Sequence, residues 1–178
     1  PAEANFVTAA VRKAPVRCNY EWGLDHASWA VLKYLYPTAK IPVFELSLDY
    51  SFNDWHPKPV QHHYDLATEL AEVRKRGVLI IGSGNIVHNL RLATWNNGAY
   101  DWAREFDEKV KAIVLSEDHG ALIHYERLGE AARLSIPTNE HYLPLLYVLA
   151  LKEREEPLLF FAQKITAGSI SMRSFMIG

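Results

Sequence analysis

Apolar positions along this chain fall into helix-like stripes separated by short, solidly apolar runs. Residues 2–14 set Phe6, Val7, Ala10 and Val11 on one face at helical spacing, and Pro15 ends that helix. Residues 16–19 read as a short strand. Asp25 is placed to cap a helix running from His26 to about Tyr36, which Pro37 stops. Residues 41–48 read as a second strand, with Pro42 near its start, where a missing N–H is tolerated. A helix over 59–76 offers Tyr64, Leu66, Ala67, Leu70 and Val73 to the core. The run Val78-Leu79-Ile80-Ile81 is short, rich in branched side chains and bounded by Gly77 and Gly82, the pattern of a buried strand in a parallel sheet. Residues 95–98 predict a turn, and 99–115 a helix with Trp102, Phe106, Val110 and Ile113 as a core stripe. One or two short helices follow over 117–134. A last helix opens at residues 137–142, capped by Thr138 or Asn139, with Pro144 in its first turn and a nearly continuous apolar body to Leu151. Residues 158–161 and 169–172 read as strands. Helical and extended segments alternate without repeats or a linker, which predicts a single α/β domain with 78–81 as a buried strand of its sheet.

Composition narrows the function classes. With 178 residues, 49% apolar and 22% charged, the chain is an ordinary globular sequence that can bury a core. A formal net charge of -2 argues against a nucleic-acid or membrane-surface role, and no apolar run reaches the length of a membrane span. The single cysteine, Cys18, cannot form an internal disulfide, which points to a reducing, cytoplasmic setting. The chain opens on Pro1 and runs directly into helix-forming residues, which reads as the interior of a longer protein.

Eight histidines carry most of the candidate chemistry. His88 rides a glycine-rich loop, Gly82-Ser83-Gly84-Asn85, at the end of the apolar run, where ligands of open α/β sheets bind. It either works in chemistry or only bonds its own loop. The loop lacks the lysine and spacing of a phosphate-binding loop. His26 falls in the first turn of its helix, where a neutral imidazole is a usable acid/base group, or packs beside Trp22 or Trp29. His141 follows Glu140 at the mouth of a buried helix, where a polar pair is costly without partners. It reads as a metal or substrate contact, or as part of a cap. His62 and His63 are expected on the surface, and His56, with Asn53, Asp54 and Trp55, in a polar loop. His119 and His124 have no supporting motif. Imidazoles distant in sequence that converge at one sheet edge would suit a mononuclear metal site.

Three stretches carry a resemblance: Gly23-Leu24-Asp25-His26-Ala27-Ser28-Trp29, Ser83-Gly84-Asn85-Ile86-Val87-His88-Asn89-Leu90 and Asn139-Glu140-His141-Tyr142-Leu143-Pro144-Leu145. In order, spacing and flanking residues, through to Gly168-Ser169-Ile170-Ser171-Met172, they resemble class III extradiol ring-cleaving dioxygenases of the LigB-like family, in the branch that acts on DOPA. The resemblance covers essentially the whole chain, and it implies a single α/β domain with a central mixed, largely parallel sheet flanked by helices. It implies an enzyme that inserts both atoms of O₂ into a small catecholic substrate, with Fe(II) for activity and Zn(II) as an isolated form. It makes His141 a metal ligand, His88 a ligand or the base that takes a catechol proton, and His26 an active-site histidine facing substrate and oxygen. Substrate and O₂ are the expected partners, with a homodimer as the candidate assembly and neither nucleic acid nor membrane among them.

Family members also carry His-Gly-Ser-Pro and Ser-Ala-His-Trp motifs on two early strands, and neither occurs here. Residues 1–178 are therefore expected to be the C-terminal portion of one catalytic domain. The competing expectation is a truncated, non-catalytic protein of the same fold that binds a ligand or dimerises.

Overall fold

The computed structural model describes residues 2–49, 59–95 and 98–178. The expected loop residues Asn53, Asp54, Trp55 and His56, and the middle of the turn at 95–98, lie outside the described residues. The helices are α1 (Ala2–Ala10), α2 (His26–Leu35), α3 (Val60–Thr68), α4 (Ala71–Lys75), α5 (Asp101–Ser116), α6 (His119–Ile123), α7 (Glu130–Ser135) and α8 (Leu143–Leu149). Four strands close the chain: β1 (Leu158–Phe161), β2 (Ile165–Thr166), β3 (Ile170–Ser171) and β4 (Ser174–Ile177).

Local chemistry explains most boundaries. Asp25 caps α2, its Oδ1 accepting the Ser28 N–H at 2.8 Å. Pro144 sits in the first turn of α8, where its missing N–H costs nothing. The expected side-chain cap of α8 is absent: the Asn139 backbone carbonyl accepts the N–H groups of Tyr142 and Leu143 instead. The helix expected over 59–76 divides into α3 and α4 around Glu69 and Leu70. Residues 16–19 are irregular.

The principal core lies between α5, α7 and α8. Phe106, Val110 and Val114 meet Leu122, Ala132, Tyr142, Leu143, Leu146 and Leu149, all essentially without solvent contact. A second cluster joins α1, α3 and α4 through Val7, Val11, Leu66, Ala67, Leu70, Val73, Tyr147 and Leu151.

The expected largely parallel sheet is not what the described residues form. Both sheets are two-stranded and antiparallel, β1 with β4 and β2 with β3. The segments 41–48 and 78–81 keep a strand's alternation: Phe44, Leu46, Leu48, Val78 and Ile80 pack on the second cluster, while Val43, Leu79 and Ile81 face outward. A strand is defined by its ladder, however, and no described segment completes one with either. The described residues thus make a helix-rich α/β unit with small sheets.

His63 overturns its expected surface position. It is only 1% exposed, and its Nδ1 lies 3.1 Å from the hydroxyl of Tyr147 on α8. Adjacent residues on a helix do point apart, but α3 is clasped on one side by α8, so one of the two histidines had to turn inward. Burial holds His63 below the ordinary imidazole value, His62 adds to this, and Asp49 opposes it. Burial, with Asp49, pushes Tyr147 up to about 12, so it remains a phenol throughout the neutral range. Tyr147→Phe strands the ring nitrogen and is expected to cost about 1–3 kcal/mol in urea unfolding. His119 is shifted down in the same direction, chiefly by burial, beside the Tyr64 hydroxyl at 2.7 Å. Both folded values lie below the unfolded one. Their contribution is therefore complete above about pH 6.5, begins to decline below it, and is lost as the pH falls through the lower folded values. The urea midpoint should fall between pH 7 and pH 5, and less steeply in His63→Gln.

Candidate functional site

Two backbones pressed together build the site. The loop after Ile81 lies so close to the start of α8 that a Cβ on Gly84 would sit 2.2 Å from the His141 carbonyl oxygen. One on Gly82 would sit 2.6 Å from the Pro144 oxygen. The glycines are there to permit this approach. Asn85 N–H then donates to the His141 carbonyl at 2.8 Å, locking the two segments together. Gly84→Ala is expected to cost about 1–3 kcal/mol by overpacking against a backbone that cannot step aside. Gly23→Ala, where nothing lies within 4 Å, should be close to neutral in the same unfolding experiment.

From this contact the chain reaches His88. Its ring stacks on that of His141, centroids 3.6 Å apart and planes 20° from parallel. Both rings are half-buried. Burial, and after it the neighbouring His141, hold His88 below the ordinary imidazole value, while Glu140 pulls the other way. A neutral ring at His88 is the resulting state near pH 7, with a free nitrogen lone pair.

The loop is clamped from two sides. His88 N–H donates to the Ser135 carbonyl at the end of α7, and Asn89 Nδ2 donates to the Leu134 carbonyl. On the other side His88 bridges Ile170 of β3. Ser171 N–H donates to the Val87 carbonyl at 3.0 Å, and Asn85 Nδ2 donates to the Ser171 carbonyl at 2.8 Å. Beside His141, Glu140 Oε1 accepts the Thr138 hydroxyl at 2.8 Å. Among the described residues, Glu140 Oε2 and Asn139 Oδ1 are buried without a hydrogen-bond partner. The polar residues at this helix mouth are thus only half satisfied by the chain itself.

Of the three histidines singled out in sequence, the structure brings together His88 and His141. His26 stands exposed in the first turn of α2, and no ring contact joins it to the pair among the described residues. Sequence reasoning gave Asn85 and Ser171 no role beyond their place in the family-like stretches, and it missed Asp107 and Arg173, whose ion pair bonds the Ser171 hydroxyl. Asp107 did leave a signal: an acid on the core-facing stripe of α5, between Phe106 and Val110.

The pair tests poorly as a complete metal centre. It offers two imidazole donors, face to face, where a mononuclear catalytic centre takes about three protein ligands. Among the described residues no group of three or more His, Cys, Asp or Glu is arranged to hold a metal ion. What the chain offers unaided is a neutral His88 ring that can accept a proton at the rim of the loop.

The family model for the catalytic LigB subunit of aromatic ring-opening dioxygenase matches residues 4–161, and the chain belongs to that family. It is 40% identical over 185 residues to the 4,5-DOPA dioxygenase extradiol of Escherichia coli (strain K12), covering 100% of this chain and 65% of that protein. The 4,5-DOPA dioxygenase extradiol of Mirabilis jalapa is 34% identical over 148 residues, covering 82% of this chain and 53% of that protein. A crystal structure of an uncharacterized protein from Escherichia coli K12 superposes with a TM-score of 0.89 at 41% identity, over 100% of this chain and 72% of that one. The chain therefore spans between about half and two thirds of the length of these two dioxygenases.

Proposed function

We propose that this chain carries part of the machinery of an extradiol dioxygenase that opens the ring of a small catechol with O₂. The observation that carries the reading is the stacked pair of His88 and His141, built by two of the three stretches that resemble the family. The names of the two dioxygenases it is similar to support an aromatic substrate of the DOPA type.

His88 is the base in this reading. Its ring is held neutral by burial, its backbone is fixed on both sides, and it can take a proton from a catechol hydroxyl. His141 is the chain's own donor toward a non-haem metal, Fe(II) in turnover and Zn(II) as an isolated form, with His88 as the alternative second donor. Such an ion would supply the activation of O₂ and catecholate. The two donors fall short of a full ligand set, so the steps assigned to this chain are the proton transfer and the positioning. His26 is proposed to face substrate and oxygen, on resemblance alone. Cys18 is an exposed free thiol whose Sγ donates to Asn5 Oδ1 at 3.5 Å, in keeping with a cytoplasmic setting.

The test is product formation. An Fe(II)-loaded preparation of the whole protein should convert a catechol to a yellow ring-opened semialdehyde. Absence of that product with DOPA, protocatechuate and simple catechols would overturn the reading. The two-donor count favours one competitor, a non-catalytic protein on the same scaffold. Stoichiometric metal in the purified 178-residue chain would rule against that competitor.

A further inference from the structure

We propose that Asp107 and Arg173 are positioning residues: their buried ion pair fixes Ser171, and through Ser171 the backbone that presents His88. The proposal rests on the reading of His88 as a working residue of the site. The pair lies in the core, with side chains 5% and 2% exposed. Burying two charges is expensive, and apolar residues of similar size usually serve stability equally well or better. An ion pair in the apolar stripe of α5 therefore calls for a geometric explanation, and the hydrogen bonds supply it.

Both carboxylate oxygens of Asp107 are committed. Oδ2 accepts Arg173 Nε at 2.9 Å and Nη2 at 2.5 Å. Oδ1 accepts the Ser171 hydroxyl at 2.5 Å. Arg173 is held in turn by Glu108 and Gln163, and its backbone N–H donates to the Ser171 Oγ at 3.1 Å. The Ser171 hydroxyl is thus the junction between the ion pair and β3. Its main chain is the junction between β3 and the loop, donating to the Val87 carbonyl and accepting from Asn85 Nδ2. Ser169 adds a parallel tie: its hydroxyl donates to the Asn89 carbonyl at 2.8 Å, and its own carbonyl accepts the Asn89 N–H at 3.2 Å. A continuous path runs from the carboxylate on α5 to the peptide that carries His88. The serine side chain is its middle link. Groups held this way lose their geometry by fractions of an ångström when the support is removed, and catalysis is sensitive to that scale.

The experiment uses Ser171→Ala and Asp107→Asn, which keep shape and volume, and reads two quantities. The first is amide hydrogen exchange resolved along the chain. Residues 85–89 should exchange at least about tenfold faster in both variants, while amides of α5 and α8 keep their protection. The second is ring cleavage by the whole protein, where kcat should fall about 10–100-fold with KM within twofold. Unchanged exchange at 85–89 in Ser171→Ala overturns the proposal. So does exchange that rises equally everywhere in Asp107→Asn, because the pair is then a general stabiliser. If the parent protein cleaves no catechol, the dioxygenase reading fails, and the exchange measurement still decides the positioning role.

Discussion

Replacing His88 with glutamine is expected to lower ring-cleavage turnover about a hundred- to ten-thousand-fold, the usual contribution of a positioned acid/base group. Glutamine keeps a polar side chain of comparable reach but cannot carry a proton between substrate and solvent. The main-chain bonds that fix this position do not involve the ring: the N–H donates to Ser135, and the flanking residues bond Ser171 and Ser169. The fold should therefore survive, and the urea midpoint should stay close to that of the parent. Stopped-flow separation of binding from turnover checks the assignment. A base leaves KM nearly unchanged while kcat falls. A metal ligand at this position would instead lower the metal content of the purified protein. His141→Gln supplies that contrast, because its proposed role is as a donor: metal content should drop with activity. Loss of metal in both variants would make His88 a ligand, and full activity in His88→Gln would remove it from the chemistry.

Which parts of this arrangement were legible in the sequence follows from where the physics is local. The cap at Asp25, the proline in the first turn of α8 and the apolar body of α8 all depend on a few neighbouring residues, and each was readable. The parallel sheet was not, because 41–48 and 78–81 advertise strands only through alternation. Whether a partner lies beside them is a long-range fact. The stripe on α5 shows the intermediate case. Spacing pointed to Trp102, Phe106, Val110 and Ile113. Phe106 and Val110 are buried, Trp102 and Ile113 pack half-buried against the same core, and the buried positions that the spacing left out are Ala103, Asp107 and Val114. Binary pattern reading skips a charged residue in such a stripe by construction, which is why the Asp107–Arg173 pair went unseen. At the site, the glycines of the loop were noticed as a turn. Their actual cause is close approach to a segment about 60 residues away, which only the folded backbone reveals.

Arg173→Met is expected to be among the most damaging single changes to stability, at about 3–5 kcal/mol. The change removes the guanidinium but leaves the buried Asp107 carboxylate, on the same helical face as Phe106 and Val110, with only the Ser171 hydroxyl as a partner among the described residues. The penalty comes chiefly from that stranded charge, not from the lost attraction. The double variant Asp107→Leu with Arg173→Met tests this directly. It removes both charges at once and should recover most of the loss, ending within about 1–2 kcal/mol of the parent. Glu108, 65% exposed, can return to water, and the unpaired Ser171 hydroxyl accounts for the remaining cost. The coupling energy from the full cycle of parent, two single variants and double variant is then large and favourable. If Arg173→Met costs less than about 1 kcal/mol, the pair behaves as a surface contact despite its burial. If the double variant is as unstable as Arg173→Met, the arginine contributes through packing of its stem and not through charge. The double variant also separates stability from function. A chain that regains its unfolding midpoint yet still turns over catechol slowly would show that the ion pair is retained for the geometry of the His88 loop, since its stabilising work can be done by apolar carbon.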